Sequence, residues 1–117
     1  TVTGSVIHND SDTLVINGGN YTGRASDKYV ILSNFGATIN GGTFTATGAD
    51  QVIFQVTTTN PTVSDFTING GIFNYDPASF PIYNAGGNSS SMFIKINGGT
   101  FNGVTYSPDM YDSLIQD

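Results

Sequence analysis

One tetrapeptide, Ile-Asn-Gly-Gly, occurs four times in this chain and limits its possible folds more than any other feature. It stands at 16–19, 39–42, 68–71 and 96–99, so the spacings from Asn to Asn are 23, 29 and 28 residues. Each copy ends an alternating run: Leu14-Val15-Ile16, Ala37-Thr38-Ile39, Phe66-Thr67-Ile68 and Ile94-Lys95-Ile96. Two residues past the second glycine stands an aromatic, Tyr21, Phe44, Phe73 or Phe101. Repetition at this period marks a solenoid or array, whose units cannot bury their apolar faces alone and rely on neighbours for cover.

A third apolar run opens every unit: Val6-Ile7-His8, Tyr29-Val30-Ile31-Leu32, Val52-Ile53-Phe54-Gln55-Val56 and Phe80-Pro81-Ile82-Tyr83. Three runs per unit predict twelve short strands in four sets. The alternation places Leu14/Ile16 and their equivalents on one face and Val15, Thr38, Thr67 and Lys95 on the other. Stacked units would pile Ile on Ile and aromatic on aromatic, with Thr and Lys outside. The units run over about 5–23, 28–47, 51–76 and 80–104 of a single domain, 1–117, and a closing segment covers 105–117. In that segment Ser107 to Ile115 has the pattern of one or two helical turns, with Ser107 or Asp109 as cap and Met110, Tyr111 and Leu114 on its apolar side.

Composition supports strands over helices. Asn, Thr, Ser and Gly together supply 53 of the 117 residues, and all nine acidic residues are Asp. Asn-Gly is also a strong hairpin signal, so four antiparallel hairpins in a sandwich or barrel are the competing reading. The third apolar run and the shared register of all four units favour stacking. At the corner, Asn tolerates the left-handed backbone and Gly is permissive there. Equivalent amides one strand spacing apart, about 4.8 Å, are expected to bond up the stack as a ladder of Asn17, Asn40, Asn69 and Asn97.

Three strands per turn, aligned Ile and aromatic stacks and a corner Asn ladder resemble the right-handed parallel β-helix of the pectate-lyase-like superfamily, over roughly residues 5 to 104. The resemblance implies an all-β, single-stranded right-handed parallel β-helix (a β-solenoid) of about four turns with a small C-terminal cap. Phage tailspike, fibre and baseplate proteins and bacterial surface adhesins share that fold, which carries enzymes and inert spacers alike. The Arg-rich strand or clustered Asp pairs expected of its lyases are absent.

A net charge of -6, with three cations at Arg24, Lys28 and Lys95, argues against nucleic acid as a partner. No apolar run approaches the roughly 20 residues that span a bilayer. The lack of cysteine excludes disulfides and thiolate metal sites. The chain opens at Thr1 rather than Met, which fits removal of an upstream segment.

Asp27, Asp50 and Asp76 fall between units, and an acidic cleft there would suit glycosidic acid–base chemistry or calcium. Ordinary loop aspartates are the competing and simpler reading. Asn9-Asp10-Ser11-Asp12 lacks the glycine and distal Glu of a helix-loop-helix calcium site and reads as a solvated turn. His8 has no partner motif for a triad. Asn9, Asn20 and Asn88 head glycosylation sequons of the kind this composition produces by chance.

Tyr29, Tyr75, Tyr83, Tyr106 and Tyr111 lie among Asn, Ser and Thr, which suits contact with sugar rings, or they pack in the core or a subunit contact. Loops 9–12, 57–62 and 86–91 all leave the first strand of their unit and would line one edge, a common binding face in solenoids. The expected role is a non-enzymatic structural or adhesive module, extracellular, on a cell surface or on a virion, that presents loops to a glycan. It needs no cofactor or metal. The alternatives are a filament subunit built by stacked solenoids and a fragment of a polysaccharide lyase or hydrolase. Open solenoid ends predict self-association, as trimers or end to end, or junction with neighbouring domains.

Overall fold

Short runs rich in β-branched and aromatic residues between glycine corners allow only short strands, and about half of the described residues are strand, with little helix. A computed structural model describes residues 2–3, 7–9, 14–33, 36–56, 65–85 and 93–116. The strands form three sheets. The aromatic sheet holds β1 (Val2–Thr3), β4 (Asn20–Thr22), β7 (Thr43–Thr45), β10 (Ile72–Asn74), β13 (Thr100–Phe101) and β14 (Val104–Thr105), in that order. The isoleucine sheet holds β3 (Leu14–Ile16), β6 (Ala37–Ile39), β9 (Asp65–Ile68) and β12 (Phe93–Ile96). The long-strand sheet runs β2 (Ile7–Asn9), β5 (Tyr29–Ser33), β8 (Val52–Val56), β11 (Ile82–Asn84) and β15 (Ile115–Gln116).

Pairing is parallel throughout these sheets except between β13 and β14. From β2 to β13 the chain visits the long-strand, isoleucine and aromatic sheets in a fixed rotation, an arrangement compatible with a β-solenoid. None of the four Ile-Asn-Gly-Gly sites forms the hairpin of the competing reading, since each joins strands of two different parallel sheets; a fifth Asn-Gly does. Asn102-Gly103, at φ 50 and 82, turns the chain between β13 and β14. That sign pattern is the one a two-residue hairpin requires.

Register aligns like with like. Ile16, Ile39, Ile68 and Ile96 are Cα partners in sequence. So are Tyr21, Phe44, Phe73 and Phe101. The rings of the second row stack at centroid distances of 5.0, 5.2 and 4.7 Å with interplanar angles of 8° to 14°. Phe54, from the long-strand sheet, meets this column and Phe66 of the isoleucine sheet at 5.1 to 5.9 Å, so the three sheets close on one core. Ala37 lies between Leu14 and Phe66 in its row, a small residue beside a large one.

The C-terminal end is closed by several contacts. β14 covers the aromatic sheet, and Tyr106 sets its ring edge-on to Phe101 at 6.2 Å. A 3-10 turn, Pro108–Met110, leads into a four-residue helix, α1 (Tyr111–Leu114), whose Leu114 is buried. Tyr111 donates its hydroxyl to the Ile94 carbonyl at 2.8 Å, and β15 then pairs with β11. Ser107 makes no side-chain cap to this segment; its hydroxyl bonds to Asp109. Loops 57–62 and 86–91 lie outside the described residues, as does most of loop 9–12.

Candidate functional site

The corner is built from backbone first. The N–H of Asn40, Asn69 and Asn97 each donates to the Ile carbonyl one unit back, at 2.8 Å. Thr43, Ile72 and Thr100 do the same to the carbonyls of Gly19, Gly42 and Gly71. The asparagine side chains add a second ladder. Asn40 Nδ2 donates to Asn17 Oδ1 at 2.9 Å, Asn69 to Asn40 at 2.9 Å and Asn97 to Asn69 at 2.8 Å. All four asparagines are exposed, so the column is solvent-facing. Of the corner residues that accept left-handed backbone, the second glycine adopts it, at φ 106, 113, 120 and 117 for Gly19, Gly42, Gly71 and Gly99. The first glycine serves close approach. A Cβ on Gly41, Gly70 or Gly98 would meet the Asn carbonyl of the unit before at 2.8, 3.0 or 2.7 Å, whereas one on Gly18 would meet nothing among the described residues.

The three inter-unit aspartates take three different turn positions. Turns close by Asp27 N–H to Arg24 O, Gln51 N–H to Gly48 O and Ser79 N–H to Asp76 O, so Asp27 ends its turn, Asp50 lies inside and Asp76 begins one. The Asp27 carboxylate accepts two bonds from the Arg24 guanidinium, at 3.1 and 3.3 Å. Asp76 Oδ1 accepts the Ala78 N–H at 2.9 Å. Asp27 and Asp50 line one shallow pocket with Lys28 and Gln51; Asp76 does not line it. Among the described residues no group of three or more His, Cys, Asp or Glu side chains is placed to hold a metal ion. Nor is any described helix long and apolar enough to cross a membrane.

Gln51 was not marked by any sequence pattern, yet it is buried at 1 % exposure. Its Nε2 donates to the carbonyls of Arg24 and Asp27, and its Oε1 accepts the Thr47 N–H. Two of these three partners are carbonyls 24 and 27 residues upstream, which no local motif encodes.

The tyrosines separate. Tyr75 and Tyr106 pack against the core, and burial pushes the Tyr75 phenol above its ordinary value. Tyr29 is half-buried opposite Val52. Tyr83 stands in a row with Gln55 and Gln116 on adjacent strands of the long-strand sheet. Alternation with Phe54, Ile82 and Ile115 turns that row outward. With Lys28, Asp50 and Val52 it lines an open groove of about 490 Å³. The groove therefore offers one aromatic face, two amides and a charge of each sign. The chain matches no family model, no curated protein and no solved structure.

Proposed function

We propose that this chain is a right-handed parallel β-helix of about four turns, of the pectate-lyase-like kind, serving as a non-enzymatic structural and adhesive module outside the cell. The register of the asparagine, isoleucine and aromatic rows supports the winding, and parallel crossovers are right-handed in about 98% of cases. The adhesive surface is the groove beneath Tyr83. A flat phenol ring among amides suits a saccharide, which presents a C–H face to the ring and hydroxyls to Gln55 and Gln116. This groove is the observation that carries the reading. The acidic candidates support binding over turnover, since Asp27 is engaged by Arg24, Asp76 accepts the Ala78 N–H, and Asp76 lies outside the pocket that Asp27 and Asp50 share.

A glycan-array screen of the purified chain tests it. Retention of at least one surface glycan, reduced about tenfold or more in Tyr83→Ala, is the expected outcome, in line with the weight aromatic anchors carry at binding sites. Absence of binding across the array would remove the adhesive half of the reading. Release of reducing ends or unsaturated products from pectin, alginate or bacterial polysaccharide, abolished by Asp50→Asn, would install the enzyme reading in its place. Stacking of modules is a second reading. It is favoured by β1, β2 and β3, each paired on one side only among the described residues.

A further inference from the structure

The four corner sites share one local sequence, Ile-Asn-Gly-Gly, yet the structure gives them different surroundings. Asn-Gly is the dipeptide most prone to ring closure, because glycine presents no side chain to hinder attack on the asparagine amide. The glycine backbone nitrogen gives up its proton and bonds to asparagine Cγ. The Cγ–Nδ2 bond breaks, and that nitrogen leaves as ammonia with the proton. Water then opens the succinimide at either of its two carbonyls, giving aspartate or isoaspartate. The side chain must leave its hydrogen bonds and rotate toward the glycine nitrogen for this to occur.

Interior and terminal asparagines differ in what holds them. Asn40 and Asn69 each donate through Nδ2 and accept at Oδ1. Asn17 only accepts within the column, and Asn97 only donates. The following glycines differ too. Gly41, Gly70 and Gly98 sit against the Asn carbonyl of the preceding unit, within 2.7 to 3.0 Å of where a Cβ would stand, whereas Gly18 has no such neighbour among the described residues. Asn17-Gly18 is thus held by one amide bond on an unpressed backbone. Asn97-Gly98 is held by one amide bond on a pressed backbone, and the interior pairs by two bonds on a pressed backbone.

We propose that the corner column is a site of spontaneous asparagine modification with a structure-imposed order: Asn17 first, Asn97 next, Asn40 and Asn69 last. Asn102-Gly103 lies in the β13–β14 turn outside the column, with its Oδ1 held by the Tyr75 N–H, and is not part of the series. The products act differently along the column. An aspartate at position 17 keeps the oxygen that Asn40 needs. An aspartate at position 69 loses the donor to Asn40 and sets oxygen against oxygen.

Peptide mapping by mass spectrometry tests the order on the intact chain, aged in mildly alkaline buffer at physiological temperature beside a sample in urea. In urea the four identical sequences should react at one rate. In the folded chain Asn17 and Asn97 should react about 2- to 10-fold faster than Asn40 and Asn69, the factor expected for one hydrogen bond fewer to break. Asn97→Ala strips Asn69 of its incoming bond and should raise the Asn69 rate to that of Asn97 in the parent. Equal rates at all four sites in the folded chain would overturn the proposal. So would interior sites reacting first, or an Asn69 rate indifferent to Asn97→Ala.

Discussion

Gln51 ties the turn at Arg24–Asp27 to the turn at Gly48–Gln51 through three bonds made from a fully buried amide. Gln51→Leu takes the amide from the Asp27 carbonyl and the Thr47 N–H, while the Arg24 carbonyl keeps the Asp27 N–H, so it should cost about 2 kcal/mol, read as a lower denaturant midpoint. Asn69 is a different case, because its two amide bonds face water. Asn69→Ala should cost about 1 kcal/mol, a few degrees in Tm, and Asn17→Ala less because one bond is lost. Tyr75 adds a pH dependence. Burial raises its phenol pKa above 10.0, so the folded chain keeps that proton where the unfolded chain has released it. The contribution is intact below the unfolded value and is lost as pH rises through the folded one. Tyr75→Phe should therefore flatten the decline in stability above about pH 10, measured by urea melts at stepped pH.

Among the elements, the corner separates two demands that the tetrapeptide hides. The second glycine supplies a positive φ, and the first yields space to the carbonyl of the preceding unit. Gly98→Ala should destabilise by about 1–3 kcal/mol through overpacking, while Gly18→Ala should lie within about 0.5 kcal/mol of the parent. Equal Tm losses for the two would contradict the close-approach account. The main strands were legible in the sequence because alternation and the aromatic slot recur in each unit. β1, β14 and β15 were not, because they are two residues long and lie at or beyond the ends of the repeat, where no equivalent position marks them. The roles within Asn-Gly-Gly were open in the sequence because both residue types accept left-handed backbone, and only geometry shows which adopts it. Of the candidate site, Tyr83 could be singled out as a tyrosine among polar residues. Gln55 and Gln116 could not, since their adjacency to it arises from register between strands far apart in the chain.

At the scale of the whole molecule, extents of 34 × 30 × 25 Å describe a body about as wide as it is long. A domain of this length is a short block, and an extended rod would need further turns or further copies. The C-terminal end carries a cap of β14, Tyr106 and α1, while β1, β2 and β3 edge the other. Sedimentation at rising concentration should show association, and truncation after Val104 should change its extent by exposing the second end. A monomer at every concentration, before and after truncation, would exclude stacking. The amide column restricts what such stacking can look like. Every bond in it runs from the later unit to the earlier one, so it has a head with spare N–H and a tail with spare oxygen. Head against tail would continue the column across the joint. Head against head, or tail against tail, would set donor on donor or acceptor on acceptor. An assembly extended through this corner is therefore polar, its interface heterologous, and a two-fold axis perpendicular to the stack is disfavoured.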